Sequence, residues 1–117
     1  MNQQIPRTLS PEDLKRWLVK DDPKPILVDV REEQELDIAS FPSEVVHLPL
    51  SKADVWMNTL SAVFSSNSSV VVICHSGIRS WNFATWLIEQ GLAHDVWNLE
   101  GGIDAWSVDI DSSIPRY

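Results

Sequence analysis

The sequence contains very little cysteine, few cations and no long apolar run. Cys74 is its only cysteine, which excludes an intramolecular disulfide, a paired-cysteine redox motif and a zinc site built from several thiolates. Nine lysines and arginines stand against seventeen aspartates and glutamates, a net charge of −8, so neither nucleic acid nor an anionic membrane is expected as a partner. The lone thiol is therefore inert packing, a reactive nucleophile or a residue without a role.

The sequence also lacks the signals that send a protein to or through a membrane. The first residues, MNQQIPRTLSPEDL, contain no apolar segment of the kind found in secretory signals. The longest apolar run, from Val70 to Cys74, is far shorter than the roughly 18 residues that cross a bilayer. We therefore expect a cytoplasmic protein, in which a free thiol stays reduced.

Apolar spacing predicts helices and strands in alternation along the chain. Strands are predicted at 26–30, 45–50, 70–73 and 95–99, and helices at 11–21, 31–38, 51–64, 79–90 and around 103–106. Such alternation is typical of an α/β domain with a mainly parallel central sheet, flanked by helices on both faces. The 117 residues suit one domain, and no linker-like change of composition divides them.

Two of the predicted helices carry more detailed expectations. Ser10 is predicted to cap the first helix, with Pro11 in its first turn. In the helix at 51–64, an inward stripe is predicted from the spacing of four apolar residues: Val55, Leu60, Val63 and Phe64. The polar segment 65–69 is expected to end that helix.

The chemistry of the chain is expected where the strand at 70–73 meets the next helix. Cys74 lies at this junction, and ligands of open parallel sheets bind at the carboxyl ends of strands. Gly77 permits a positive φ, which lets backbone N–H groups turn inward and form a cradle for an anion. The helix N-terminus and Arg79 add positive potential. All of these features stabilise a thiolate, which predicts a nucleophile acting on an anionic substrate.

The alternative is that Cys74 acts only as a small apolar residue. A lone cysteine at the end of a buried strand commonly does so. The Ser-Gly-x-Arg segment that follows Cys74 at the junction favours the nucleophile instead. His47 and His94 show no metal-ligand spacing with it, so no metal site is predicted. Asp29 and Arg31 follow the first buried strand and are expected to have a structural role there.

Three segments of the chain together carry a family resemblance. They read LVDVRE at 27–32, CHSGIRS at 74–80 and LEGGIDAW at 99–106. The second resembles the active-site loop of single-domain rhodanese-like sulfurtransferases, commonly Cys-x-x-Gly-x-Arg-Ser. The others resemble that family's Asp-Val-Arg segment and its Gly-Gly-x-x-x-Trp element. The resemblance implies one rhodanese-like domain over 1–117, with a core at about 8–107 and a short polar tail.

The resemblance implies sulfane-sulfur transfer without metal or organic cofactor. Cys74 would take sulfur from thiosulfate or from a protein or low-molecular-weight persulfide, and pass it to cyanide or an external thiol. The implied substrate-binding residues are those of the loop: His75, Ser76, Gly77, Ile78, Arg79 and Ser80. A non-catalytic or regulatory domain that binds a protein partner is the alternative. The oligomeric state stays open.

Two features delimit the resemblance. The family usually has Gly-His-Ile-Pro-Gly-Ala before its second long strand, whereas this chain reads ASFPSE at 39–44 and keeps only the proline. Four residues separate Cys74 from Arg79, whereas cysteine phosphatases have five between the same two residue types. A shorter loop has one inward N–H fewer and a narrower cradle. It therefore favours a single sulfur atom over a tetrahedral oxyanion.

Overall fold

Five short strands form one parallel sheet in the computed structural model, which describes residues 3–20, 22–64 and 68–117. The strands are β1 (Arg7–Leu9), β2 (Ile26–Asp29), β3 (Val46–His47), β4 (Ser69–Ile73) and β5 (Asp95–Leu99). Their order in the sheet is β1-β5-β4-β2-β3, and each neighbouring pair runs parallel. β4, the most apolar strand, therefore lies at the centre, as its sequence predicts.

Helices connect the strands on both faces of the sheet. They are α1 (Pro11–Val19), α2 (Glu33–Ile38), α3 (Ala53–Trp56), α4 (Leu60–Val63), α5 (Ile78–Glu89) and α6 (Gly102–Asp109). The predicted cap of α1 is confirmed, because the side chain of Ser10 accepts a hydrogen bond from the backbone N–H of Asp13. None of the helices within the described ranges is both long and apolar enough to span a membrane.

The side chains of β4 alternate between two hydrophobic clusters. One cluster combines one face of the strand with the inward face of α5: Val70, Val72, Cys74, Phe83 and Leu87. The other combines the opposite face with α1 and α6: Val71, Ile73, Leu14, Ile103 and Trp106. Successive strand residues point to opposite faces of a sheet, so a continuous apolar strand fills both layers. The predicted α/β fold with helices on both faces is confirmed.

The strand predicted at 45–50 is shorter in the structure. Only Val46 and His47 form β3, beside β2. The backbone N–H of Leu48 still donates to the carbonyl of Asp29. After Pro49, the backbone N–H of Leu50 donates to the carbonyl of Val30 across a longer distance of 3.4 Å. The chain then turns into a 3₁₀ segment at Leu50–Lys52.

The helix predicted at 51–64 is broken into shorter pieces. A second 3₁₀ segment, Met57–Thr59, lies between α3 and α4. A 3₁₀ turn has three residues where an α-helical turn has 3.6, so the inward face changes phase along the segment. Val55 is consequently 71% exposed, while Trp56 and Leu60 are buried. The predicted inward position of Val55 is wrong. Of the polar segment at 65–69, residues 65–67 lie outside the described ranges.

Two regions have more structure than their sequences predict. β1 is an unpredicted edge strand, and only its Leu9 is buried. The polar tail is anchored to the core, because Ile114 is buried and the hydroxyl of Ser107 donates to its carbonyl at 2.6 Å. A single buried side chain in a polar segment gives no periodic signal from which either feature follows.

Substitutions at Leu60 and Val55 test which side chains of residues 53–63 face the core. Leu60→Ala is expected to lower the free energy of unfolding by about 2–5 kcal/mol, because it leaves a cavity in the core. Val55→Ala, at the exposed position, is expected to change it by less than about 0.5 kcal/mol. Urea unfolding followed by tryptophan fluorescence measures both. Equal losses would contradict the assigned phase.

Candidate active site

The thiol of Cys74 lies beneath the loop that joins β4 to α5. Only about 1% of the residue is exposed. Its Sγ accepts a hydrogen bond from the backbone N–H of Gly77 at 3.0 Å, and the hydroxyl oxygen of Ser80 lies 3.2 Å from it. Cys74 is therefore held between polar groups of its own loop, which an inert core residue does not need.

Gly77 adopts the conformation that its place in the loop predicts. Its φ is +105°, in the left-handed region that favours glycine, and it stands directly before α5. This turn points its N–H at Sγ. The first N–H groups of a helix have no partner within the helix and carry partial positive charge. The N-cap of α5 therefore presents to the sulfur a backbone donor suited to an anion.

The opposite side of the loop is held by the N-terminus of α6. The backbone N–H of Ile103 donates to the carbonyl of Cys74 at 2.9 Å, and that of Asp104 donates to the carbonyl of His75 at 3.0 Å. The C=O and N–H of a trans peptide point in opposite directions. The N–H groups of His75 and Ser76 are consequently directed away from α6.

Gly102 is what allows α6 to approach the loop so closely. A Cβ atom at this position would lie 2.4 Å from the carbonyl oxygen of Cys74 and 2.5 Å from that of His75. Its φ is also positive, at +61°. The two glycines at 101–102 thus serve a tight turn and close packing.

Asn98 supports both polar neighbours of the sulfur. Its Oδ1 accepts a hydrogen bond from the hydroxyl of Ser80 at 2.5 Å, and its Nδ2 donates to the carbonyl of Gly77 at 3.1 Å. Asn98 was not predicted as a site residue. A signal was present in the sequence, since Asn98 is a polar residue in the otherwise apolar second half of β5, but its partners lie at the start of α5, about 20 residues earlier in the chain.

Arg79 forms an ion pair with Glu35 of α2. Both terminal nitrogens of Arg79 donate to the carboxylate at 2.8 Å. This contact holds the pKa of Glu35 at about 2, well below its ordinary 4.5, and raises the pKa of Arg79. The side chain therefore braces the loop against α2. Binding of substrate by Arg79 stays a prediction.

Asp29 and Arg31 form a fully buried ion pair next to this brace. The shortest contact between them is 2.7 Å, and neither side chain is exposed. Arg31 also donates to the hydroxyl of Tyr117 at 2.9 Å, and that hydroxyl donates to Glu35 at 3.0 Å. The structural role expected for the pair fits this position, with Tyr117 as an unpredicted member of the network.

The remaining loop residues lie on the outer side of the thiol. The His75 ring stacks on Tyr117, with 4.1 Å between ring centroids and 12° between planes. Ser76 is exposed, and Ile78 is 70% exposed. Of the predicted site residues 74–80, Gly77 and Ser80 contact Sγ directly, and the others follow in the same segment with their side chains engaged elsewhere or exposed. Their roles toward a substrate remain to be tested.

An apolar cavity lies beside Arg79, on its α3 side. Its volume is about 310 Å³, and aromatic side chains of α3 and α5 form much of its wall. These include Trp56, Phe83 and Trp86. Two of the six tryptophans thus border an open cavity next to the loop, whereas Trp106 is buried in the core.

Comparison with known proteins identifies the family. The model of the rhodanese-like domain matches residues 10–109, which is most of the chain. The fold and the loop around Cys74 agree with this match. The chain belongs to the rhodanese-like domain family.

Individual relatives show how far the likeness extends. The chain is 40% identical over 91 residues to the rhodanese-like/PpiC domain-containing protein 12 of Arabidopsis thaliana, covering 78% of this chain and 30% of that relative. It is 38% identical over 80 residues to the putative sulfurtransferase YtwF of Bacillus subtilis, covering 68% and 71%. A crystal structure of a rhodanese-like domain protein from Staphylococcus aureus superposes with a TM-score of 0.72 at 25% identity, covering 95% and 98%.

The chain spans less than a third of the length of the first curated relatives that it matches. Relatives named as sulfurtransferases support that general class for this chain. Their names do not establish its sulfur donor or its acceptor.

Alanine at two glycines tests the contact between α6 and the loop. Gly91→Ala is the control, because Gly91 also has a positive φ but a Cβ there would meet nothing within 4 Å. It is expected to cost about 1 kcal/mol of stability, and Gly102→Ala about 3 kcal/mol or more, because the clash adds to the strain. Chemical denaturation measures both. Equal costs would show that α6 does not depend on this close approach.

The ion pair of Glu35 predicts a pH dependence of stability. Because the folded-state pKa of Glu35 is about 2, the unfolded chain takes up the proton first as the pH falls below 4.5. Glu35→Gln is expected to be less stable than the original chain at pH 7, by roughly 1 kcal/mol. This difference should shrink as the pH falls from about 4.5 and vanish near pH 2.

Urea unfolding at pH 7, 4 and 3 measures this difference. The matched control is Glu33→Gln in the same helix. Glu33 pairs with Lys52, and its side chain is more exposed than that of Glu35. Its effect at pH 7 is expected to be smaller. A difference between Glu35→Gln and the original chain that stays constant with pH would contradict the assigned pair.

Proposed function

We propose that the chain is a sulfurtransferase that carries sulfane sulfur on Cys74. The observation that supports this most is the hydrogen bond from the N–H of Gly77 to Sγ, at the N-terminus of α5. Donors aimed at sulfur stabilise the thiolate, which is the nucleophilic form of cysteine. The general class agrees with the names of the relatives.

In the first step, the thiolate of Cys74 attacks the outer sulfur of thiosulfate. A new S–S bond forms, and the old bond to the sulfonate sulfur breaks with its electron pair leaving on sulfite. The product is a persulfide anion on Cys74. With a persulfide donor, the same attack releases the donor's thiolate instead. Both routes are covalent catalysis at one nucleophile.

In the second step, an acceptor removes the outer sulfur. Cyanide or a thiolate attacks it, and the electron pair of the broken S–S bond returns to Cys74 as thiolate. The acceptor must come from outside the chain, because Cys74 is the only cysteine in the sequence. We therefore propose two-step kinetics with no internal resolving thiol. The proposed compartment is the cytoplasm, where reduced thiols are abundant.

The loop residues His75 to Ser80 are the proposed binding residues for the donor and the persulfide. Backbone N–H groups at the start of α5 would hold the terminal sulfur anion, as helix N-termini hold other anions. The hydroxyl of Ser80 lies next to Sγ and would adjust to each state. Arg79 would act mainly by holding the loop in place, because its charge is paired with Glu35.

Phosphate-ester hydrolysis fits the site less well. The loop has four residues between Cys74 and Arg79 rather than five. Both terminal nitrogens of Arg79 are engaged by Glu35, whereas a phosphatase arginine needs them for phosphate.

A second candidate function is a domain that binds a partner protein without catalysis. The apolar cavity beside Arg79 favours it, because aromatic side chains often receive an apolar group of a partner. Such a domain has no need of a thiol with donors aimed at it. The two functions therefore differ in whether Cys74 accepts sulfur.

Intact-protein mass spectrometry tests the sulfurtransferase directly. After incubation with thiosulfate or a persulfide donor, the mass is expected to rise by one sulfur atom, located on Cys74 by digestion. Cyanide should remove it and release thiocyanate. Cys74→Ser is expected to show neither change, because an alcohol cannot carry sulfane sulfur.

The proposal fails if no donor adds sulfur to the folded protein. It also fails if the chain hydrolyses p-nitrophenyl phosphate well above the rate of Cys74→Ser. In the first case, the partner-binding function would be favoured.

A further inference from the structure

Cys74 is too deeply buried to meet a sulfur donor without some movement around it. About 1% of the residue is exposed to a probe the size of water. A sulfur atom is larger than that probe, so a donor contacts Sγ only when the atoms that cover Sγ shift.

Most neighbours of Cys74 belong to the rigid part of the fold. Val72 of β4 and Phe83 of α5 are in the same hydrophobic cluster, and the N-terminus of α6 holds the loop from behind. Moving any of these elements would open the core. The groups free to move are therefore those that lie outside the loop.

The segment after α6 crosses this edge of the sheet. The carboxyl ends of β5, β4 and β2 lie side by side there. Arg116 pairs with Asp104 beyond β5, at 2.8 Å, and Tyr117 stacks on His75 beyond β4. The hydroxyl of Tyr117 then reaches the network beyond β2. Residues 115–117 thus form a strap across three strand ends.

The far end of the strap is held in the charge network beyond β2. The hydroxyl of Tyr117 accepts from Arg31 and donates to Glu35, which also binds Arg79. The guanidinium of Arg31 lies 5.9 Å from the centre of the Tyr117 ring. Tyr117 is therefore aligned by several contacts and does not lie on His75 by chance.

The strap can be released without opening the core. Its inner end is fixed at Ile114, which is buried. Beyond that point, the side chain of Arg116 is 63% exposed, and Tyr117 is 37% exposed. Exposed ion pairs contribute about 0–1 kcal/mol, so the contact of Arg116 with Asp104 breaks easily. The strap, which covers His75 next to Cys74, is therefore displaced more readily than the packed elements around the thiol.

We propose that Tyr117 is a specificity-determining residue that limits the size of the groups reaching Cys74. It lies across the strand ends between α6 and α2, where it covers His75, the neighbour of Cys74 in the loop. On the other side of the loop, the side chain of Ile78 is 70% exposed, and its displacement would admit a narrow donor such as thiosulfate. Donors carried on a protein also need the space that Tyr117 occupies.

This inference rests on the proposed function for its biological meaning, but alkylation tests it without sulfur transfer. Cys74 is the only cysteine, so reagents label a single site. Iodoacetamide is the small probe, and fluorescein-5-maleimide is the bulky one. Tyr117→Ala is expected to raise the maleimide rate constant about threefold to tenfold, the effect of losing one aromatic pair. The iodoacetamide rate constant is expected to change less than about twofold.

Three further variants test whether the ring of Tyr117 causes the slow reaction with maleimide. Tyr117→Phe keeps the ring on His75, and its maleimide rate constant is expected to stay close to that of the original chain. Arg116→Ala releases the other contact of the strap and is expected to raise the maleimide rate as Tyr117→Ala does. Ser112→Ala, an exposed position in the same segment, is the control and is expected to change neither rate. Circular dichroism checks that each variant is folded.

The outcomes separate this inference from the proposed function. An unchanged maleimide rate in Tyr117→Ala would overturn the inference, as would an equal rise with both probes, even if the chain forms a persulfide with thiosulfate. A selective rise supports it, even if no donor adds sulfur. If the chain is active, Tyr117→Ala should raise kcat/KM for a persulfidated protein donor more than kcat/KM for thiosulfate.

Discussion

Two backbone hydrogen bonds from the N-terminus of α6 determine the shape of the site. They hold the carbonyls of Cys74 and His75 and so leave the N–H groups of the loop directed the other way. Gly102 makes them possible, because any side chain there would overlap both carbonyls. Gly77 then turns its own N–H to the sulfur. The cradle around Cys74 therefore depends on a second helix, distant in sequence, that holds the loop from behind.

Charge around the thiol is balanced by pairs of side chains. Arg79 is neutralised by Glu35 and Arg31 by Asp29, in a protein that carries a net charge of −8. Attraction for the proposed anionic donor would therefore come mainly from backbone N–H groups and the dipole of α5. Backbone N–H groups and a helix dipole act over a short range. They therefore favour binding of one sulfur atom next to the thiol, and they do little to attract anions from a distance.

Parts of the fold differed in how well they were predicted, for physical reasons. β4 was located well because a continuous apolar strand in a central position is strongly constrained by burial on both faces. The segment at 51–64 was predicted as one helix, but 3₁₀ turns changed the phase and left Val55 exposed. β1 was missed because an edge strand with one buried residue has no periodic pattern. The spacing of apolar residues in a sequence predicts which side chains are buried only where the segment keeps one regular backbone conformation.

The sequence by itself determined the place of the lone cysteine at the end of β4, the glycine three residues after it and the family, because these depend on short motifs and their spacing. It also left one thiol with no internal partner. Only the tertiary structure decided that Asn98 supports the loop, that Glu35 occupies Arg79 and that Tyr117 covers His75. These contacts join residues 18 to 44 positions apart, as between Ser80 and Asn98 or Glu35 and Arg79. Such pairs exist only once parallel strands have brought their carboxyl ends to one edge of the sheet.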